Sequence, residues 1–121
     1  EETHIQLGSP VSAAALAEAR GLVLGATGQF EQAAENFQQA VNGWRDLKRP
    51  YDRVRALLGL GQAFSGASKP QQARTALDQA LKQVGSLTSQ LEDPGMKQSF
   101  VESPLVVEIR SGLDALQPAS N

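Results

Sequence analysis

The chain has 121 residues, 40% of them hydrophobic and 20% charged, with 11 Lys and Arg set against 13 Asp and Glu. That balance offers no excess of cations to a nucleic-acid backbone or an anionic membrane surface, and no apolar run reaches the roughly eighteen residues of a membrane span. Zero cysteine removes disulfides, thiolate metal sites and a cysteine nucleophile, and fits a reducing compartment. Many Ala, Leu, Gln and Glu with few β-branched or aromatic residues point to an all-α piece. Its one Met is Met96, so the sequence reads as a fragment cut from a longer protein.

In chain order, Ser9-Pro10 gives an N-cap followed by proline at the first helical position, and a helix-forming stretch from Val11 to about Ala26 follows, stopped at Thr27-Gly28. A second helix runs from about Phe30 to Leu47, with Phe30, Ala33, Ala34, Phe37, Ala40, Val41 and Trp44 on one stripe. Lys48-Arg49-Pro50 breaks it. Tyr51 to Phe64 forms a third helix, Gly66 to Ser68 the turn after it, and Pro70 to about Leu91 a long fourth helix carrying Ala73, Ala76, Leu77, Ala80, Leu81 and Val84. After the turn at Glu92-Asp93-Pro94-Gly95 come a short segment from Met96 to Glu102 and a last helix, capped by Ser103-Pro104 and ending at about Leu116.

The first four helices are two copies of one unit. Slid by 40 residues, Leu7, Pro10, Gly21, Gln32, Ala33, Gln39, Ala40 and Leu47 fall on Leu47, Pro50, Gly61, Gln72, Ala73, Gln79, Ala80 and Leu87. A fixed period in this range marks a solenoid, in which each helical hairpin buries its apolar face only against the next. His4 to Pro10 aligns with Trp44 to Pro50, as the last turn of a preceding second helix would. An atypical terminal helix bearing Leu105, Val106, Ile109, Leu113 and Leu116 suits the cap that a solenoid needs. The expected layout is a single domain over 1–116, with hairpins at about 11–47 and 51–91, capping helices at about 96–116, and a disordered tail over 117–121.

The pattern Gly28-Gln-Phe30-Glu-Gln-Ala33, with Phe37, Ala40 and the small Gly21, resembles a tetratricopeptide repeat. In that family small residues let paired helices approach and aromatic ones fill the space between them. The second unit carries Leu60-Gly61, Phe64, Ala73, Leu77 and Ala80 at matching places, but has Ser68 for the turn glycine and Pro70 for the aromatic. Its period of 40 exceeds the family's common 34, and the extra residues are expected around Asp46 to Tyr51. Longer units of this kind, and the ending Met96-Lys-Gln-Ser-Phe100-Val-Glu-Ser-Pro104-Leu, resemble the C-terminal regions of large bacterial signalling proteins such as transcription activators and nucleotide cyclases.

The resemblance implies a right-handed superhelical array of antiparallel helix pairs in the bacterial cytoplasm. Its first helices would line a concave surface for a partner peptide, a partner helix or another domain of the same parent. It places the groove at Ala15, Glu18, Leu22, Gly25 and Ala26, and at Arg55, Leu58, Gln62, Ser65 and Gly66. Small residues at these positions also suit a spacer whose only need is curvature, and both readings stand at this level. Family members that grip a C-terminal carboxylate use Lys and Asn here; Glu18, Leu22, Leu58 and Gln62 argue against such a clamp. A helix face left without a neighbour, such as Val11 to Ala26, would favour a homodimer through terminal helices.

No catalytic centre can be assembled. His4 is the only histidine, no pair of carboxylates stands out, and no glycine-rich phosphate loop is present, so no enzyme activity, cofactor or metal is expected. Trp44 and Tyr51, beside the inter-repeat connection, suit either a partner anchor or filling between hairpins. Arg45, Lys48, Arg49, Arg53 and Arg55 cluster there with Asp46 and Asp52 interleaved, which suits a solvated face of short-range ion pairs rather than a phosphate site.

Overall fold

The computed structural model of the chain describes residues 9–116. His4, the expected remnant turn before Ser9 and the expected tail over 117–121 lie outside the described residues. Six helices make up the described part: α1 (Pro10–Ala26), α2 (Phe30–Asp46), α3 (Pro50–Gly66), α4 (Pro70–Gln90), α5 (Pro94–Val101) and α6 (Pro104–Leu116). Packing is heaviest within the pairs α1–α2 and α3–α4 and across the junction of α2 with α3.

Helix starts follow the local chemistry. Ser9 sits in extended backbone and its Oγ accepts a hydrogen bond from the Ser12 N–H at 3.0 Å, while Pro10 opens α1. Pro50, Pro70, Pro94 and Pro104 open α3 to α6, where a missing N–H costs no helical bond. Asp93 caps α5 by accepting from the Gly95 N–H at 3.0 Å. Ser103 does not cap α6 as its sequence context suggests: its Oγ is buried without a hydrogen-bond partner, and only its backbone carbonyl takes part, accepting from the Val107 N–H.

The extra length of the unit lies elsewhere than expected. The first four helices begin at 10, 30, 50 and 70, and three of them are 17 residues long with three-residue connections between them. There is no long loop at Asp46 to Tyr51; the additional residues extend the helices, and α3 runs on through Ser65 and Gly66. The three connections share one geometry. The N–H groups of Gln29, Arg49 and Lys69 reach back to the carbonyls of Leu24, Trp44 and Phe64 at 2.8, 2.9 and 2.9 Å. The residues just before them, Gly28, Lys48 and Ser68, take φ of 84°, 59° and 64°. This is the left-handed closure that satisfies the last carbonyls of a helix, and a glycine adopts it most readily.

The core is one continuous cluster. Ala14 and Ala17 from α1, Ala33, Phe37, Ala40, Val41 and Trp44 from α2, and Val54, Leu57 and Leu60 from α3 pass into Ala76, Leu77, Ala80 and Val84 from α4. Val106 and Ile109 of α6, both fully buried, close it. Tyr51 is half exposed and its ring lies 6.3 Å from that of Phe100 on α5, a tilted aromatic pair that fastens the short helix to α3.

Candidate functional site

Phe37 shows how α1 and α3 come to share a face. Its ring lies against Gly21 of α1 and Gly59 of α3, where added Cβ atoms would stand 2.9 and 2.6 Å from ring carbons. Forty residues on, Leu77 lies in the same way between Gly61 of α3 and Gly112 of α6, at 2.7 and 2.9 Å from their hypothetical Cβ atoms. Thus α6 takes, against α4 and α3, the place that α3 takes against α2 and α1.

Two crevices result. The first, about 350 Å³, lies between α1 and α3 and is walled by Leu22, Gly25, Ala26, Gln62 and Ala63 over the Phe30 and Phe37 rings. The second, about 190 Å³, lies between α3 and α6 and is walled by Leu58, Gln62, Ser65, Glu108 and Gly112 over Leu77. Gln62 is exposed and lines both. Of the positions read from the sequence, Leu22, Gly25 and Ala26 are brought to the first crevice and Leu58 and Ser65 to the second. Ala15 is exposed and lines neither, and Gly66 packs on the Phe30 ring. The glycine and phenylalanine floor and the α6 wall are site elements beyond the positions read from the sequence, although Gly112 in a helix interior is a visible sign of close packing.

Glu18 and Arg55 meet each other. Glu18 is 7% exposed, and its carboxylate accepts from Trp44 Nε1 at 3.0 Å, from Arg55 Nη2 at 2.9 Å and from Arg55 Nε. Arg55 Nη1 also donates to Asp52 at 2.9 Å, Arg49 Nε donates to the other oxygen of Asp52 at 2.9 Å, and the Arg49 guanidinium lies 5.4 Å over the Trp44 ring. The contacts close a ring through α1, α2, the connection and α3. The hydrogen bond to Glu18 raises the Arg55 pKa above the ordinary arginine range against the opposing effect of burial. Burial alone would raise the Asp52 carboxyl; the hydrogen bonds and charges of Arg49 and Arg55 outweigh it and hold the group below its ordinary value. The sequence carried a sign of this ring, since Glu18 falls on the buried Leu58 in the 40-residue overlay.

Among the described residues no three His, Cys, Asp or Glu side chains gather as metal ligands would, and no helix is long and apolar enough to cross a membrane. What the geometry defines is a stack of antiparallel helix pairs whose first helices leave shallow crevices along one face. The family model for the tetratricopeptide repeat matches residues 12–84, and the chain belongs to that family. Repeats of this family generally mediate contacts between proteins and are typically non-catalytic. No curated protein and no solved structure matches the chain.

Proposed function

We propose that the chain is a non-enzymatic protein–protein interaction module of a larger bacterial regulatory or signalling protein of the cytoplasm, and that a partner peptide or helix lies across the two crevices. The observation that carries this reading is the continuity of the crevices at Gln62, an exposed side-chain amide able to bond a partner backbone, between apolar walls at Leu22 and Leu58. The regulatory setting is supported by the closing segment Met96 to Leu105, whose sequence resembles the end of such regions.

A photo-crosslinking residue at position 62, compared with one at the exposed position 82 on α4, tests the placement. A partner captured at 62 and not at 82, and lost when Leu22→Arg is added, is the expected result. Equal capture at both positions would remove the groove. Leu22 is the better position for the disrupting charge because it is 61% exposed, whereas Leu58 is 7% exposed and an arginine there would disturb the core.

Self-association is a second reading with its own observation. Leu16 and Val23 on α1 are 51% and 63% exposed, while Ala56 and Ala63, their equivalents forty residues on, are 0% and 3% exposed. The face that α3 covers with α2 is open on α1, and a second copy would bury it. Mass in solution that rises with concentration, and stays monomeric in Leu16→Glu, would support the dimer. A concentration-independent monomer would exclude it.

A further inference from the structure

A third cavity, of about 330 Å³, opens where the α2–α3 connection meets α4, and it shares no lining residue with either crevice. Its surface is mostly carbon, from Trp44, Pro50 and the side chains around them, and the charged residues that line it are Arg45, Lys48, Arg49 and Arg53. Among the described residues no carboxylate lines it. The nearby acids are engaged: Asp46 pairs with Arg45, and Asp52 is shared between Arg49 and Arg55.

Of the four cations that line the cavity, Lys48 and Arg53 have no carboxylate partner among the described residues. Arg53 Nη1 donates to the neutral Gln83 side chain at 3.0 Å, and its Nε is buried with no partner. Burial, and the charge of Arg45 beside it, push the Arg53 pKa down, which means that its positive charge is under-compensated where it stands. Lys48 makes no ion pair among the described residues and is exposed; it holds φ of 59°, a conformation that the equivalent turn in the first hairpin gives to Gly28.

We propose that this cavity is a second binding site, taking an acidic side chain of a partner protein, with Lys48 and Arg53 meeting its carboxylate and the Trp44–Pro50 wall covering its aliphatic stem. Charge complementarity selects the class. The chain carries a net charge of −2, yet this corner presents unneutralised cations over a carbon floor, which suits a carboxylate on an apolar stem better than a fully hydrated ion. The inference rests on reading the chain as a protein-binding module, but it does not need the groove.

Trp44 is the only tryptophan, so its emission reports on the cavity directly. The probe is hexaglutamate, titrated into the full chain at low salt, with inorganic phosphate as a second arm. The expected result is a saturable change in Trp44 emission whose midpoint rises at least about tenfold in Lys48→Asn with Arg53→Gln, asparagine being tolerant of the left-handed turn. Leu22→Arg with Gln62→Ala should titrate like the parent chain, and far-UV circular dichroism should show both double variants helical. No saturable change, or an unaltered midpoint in the charge variant, would overturn the proposal. Phosphate acting as well as hexaglutamate would overturn the side-chain assignment in favour of a simple anion. Loss of the response only in the Leu22 and Gln62 variant would place the acidic peptide in the groove, which overturns this site and leaves the proposed function standing.

Discussion

The Phe37 ring stands against the backbone of Gly59, so close that a Cβ at that position would lie 2.6 Å from the ring carbon Cζ. Gly59 sits inside a 17-residue helix, where glycine is ordinarily unfavourable by roughly 0.5–1 kcal/mol, so its place there is explained by packing and not by propensity. Gly59→Ala is therefore expected to destabilise by about 1–3 kcal/mol through overpacking, despite the better helix propensity of alanine. Gly85→Ala in α4 is the matched control. Nothing lies within 4 Å of its Cβ position, and that change should stabilise by up to about 1 kcal/mol. Urea midpoints of the two variants, moving in opposite directions, are the check.

The turns give a second prediction. Lys48 and Ser68 hold φ of 59° and 64° at the positions where the first turn has Gly28, and an L-residue in that region is unfavourable by about 1–2 kcal/mol. Lys48→Gly and Ser68→Gly should each raise stability, by about 0.5–1 kcal/mol once the greater freedom of glycine in the unfolded chain is counted. Gly28→Ala should lower it. The three melting temperatures, compared at one protein concentration, decide the matter.

These turns also show where the sequence was readable and where it was not. Pro10, Pro50 and Pro70 announce three helix starts, and the stripe from Phe30 to Trp44 announces the buried face of α2, because proline at the first turn and apolar spacing act locally. The closures at Lys48 and Ser68 carried no such signal. Neither residue favours a left-handed backbone; the reach of the Arg49 and Lys69 N–H groups to Trp44 and Phe64 imposes it. Hence the additional residues of the unit, expected around Asp46 to Tyr51, instead lengthen the helices. The groove positions Leu22, Gly25 and Gln62 follow from the repeat, whereas the α6 wall and the Glu18–Arg55 pair depend on tertiary contacts between distant segments.

Glu18 is expected to act as a stabilising residue. It is 7% exposed and receives Trp44 Nε1 and two Arg55 nitrogens, so Glu18→Ala would strand a buried indole N–H and half of an arginine pair, at a cost of about 1–3 kcal/mol. Glu18→Gln keeps an acceptor for Trp44 and should cost less. Arg55 is 43% exposed in its side chain, so Arg55→Ala should also cost less than Glu18→Ala. A double-mutant cycle between Glu18→Gln and Arg55→Ala measures the coupling, and additive effects would show that the pair contributes nothing beyond its separate packing.

Acid should weaken the ring through Asp52. Its carboxyl is held below its ordinary value of 3.8, with the bonds and charges of Arg49 and Arg55 overcoming the opposing effect of burial. A carboxylate that releases its proton more easily in the folded than in the unfolded chain contributes stability that is fully present above the unfolded pKa. That contribution is lost as pH falls below 3.8 toward the lower folded value. Unfolding free energy should therefore fall with pH in that window by an amount that Asp52→Asn removes. Above pH 5 the two proteins should run parallel, with the variant less stable because its neutral amide no longer holds both arginines. Urea titrations at pH 3, 4, 5 and 7 resolve the difference, and a variant that loses as much stability as the parent chain below pH 4 would exclude Asp52 as a source of the acid sensitivity.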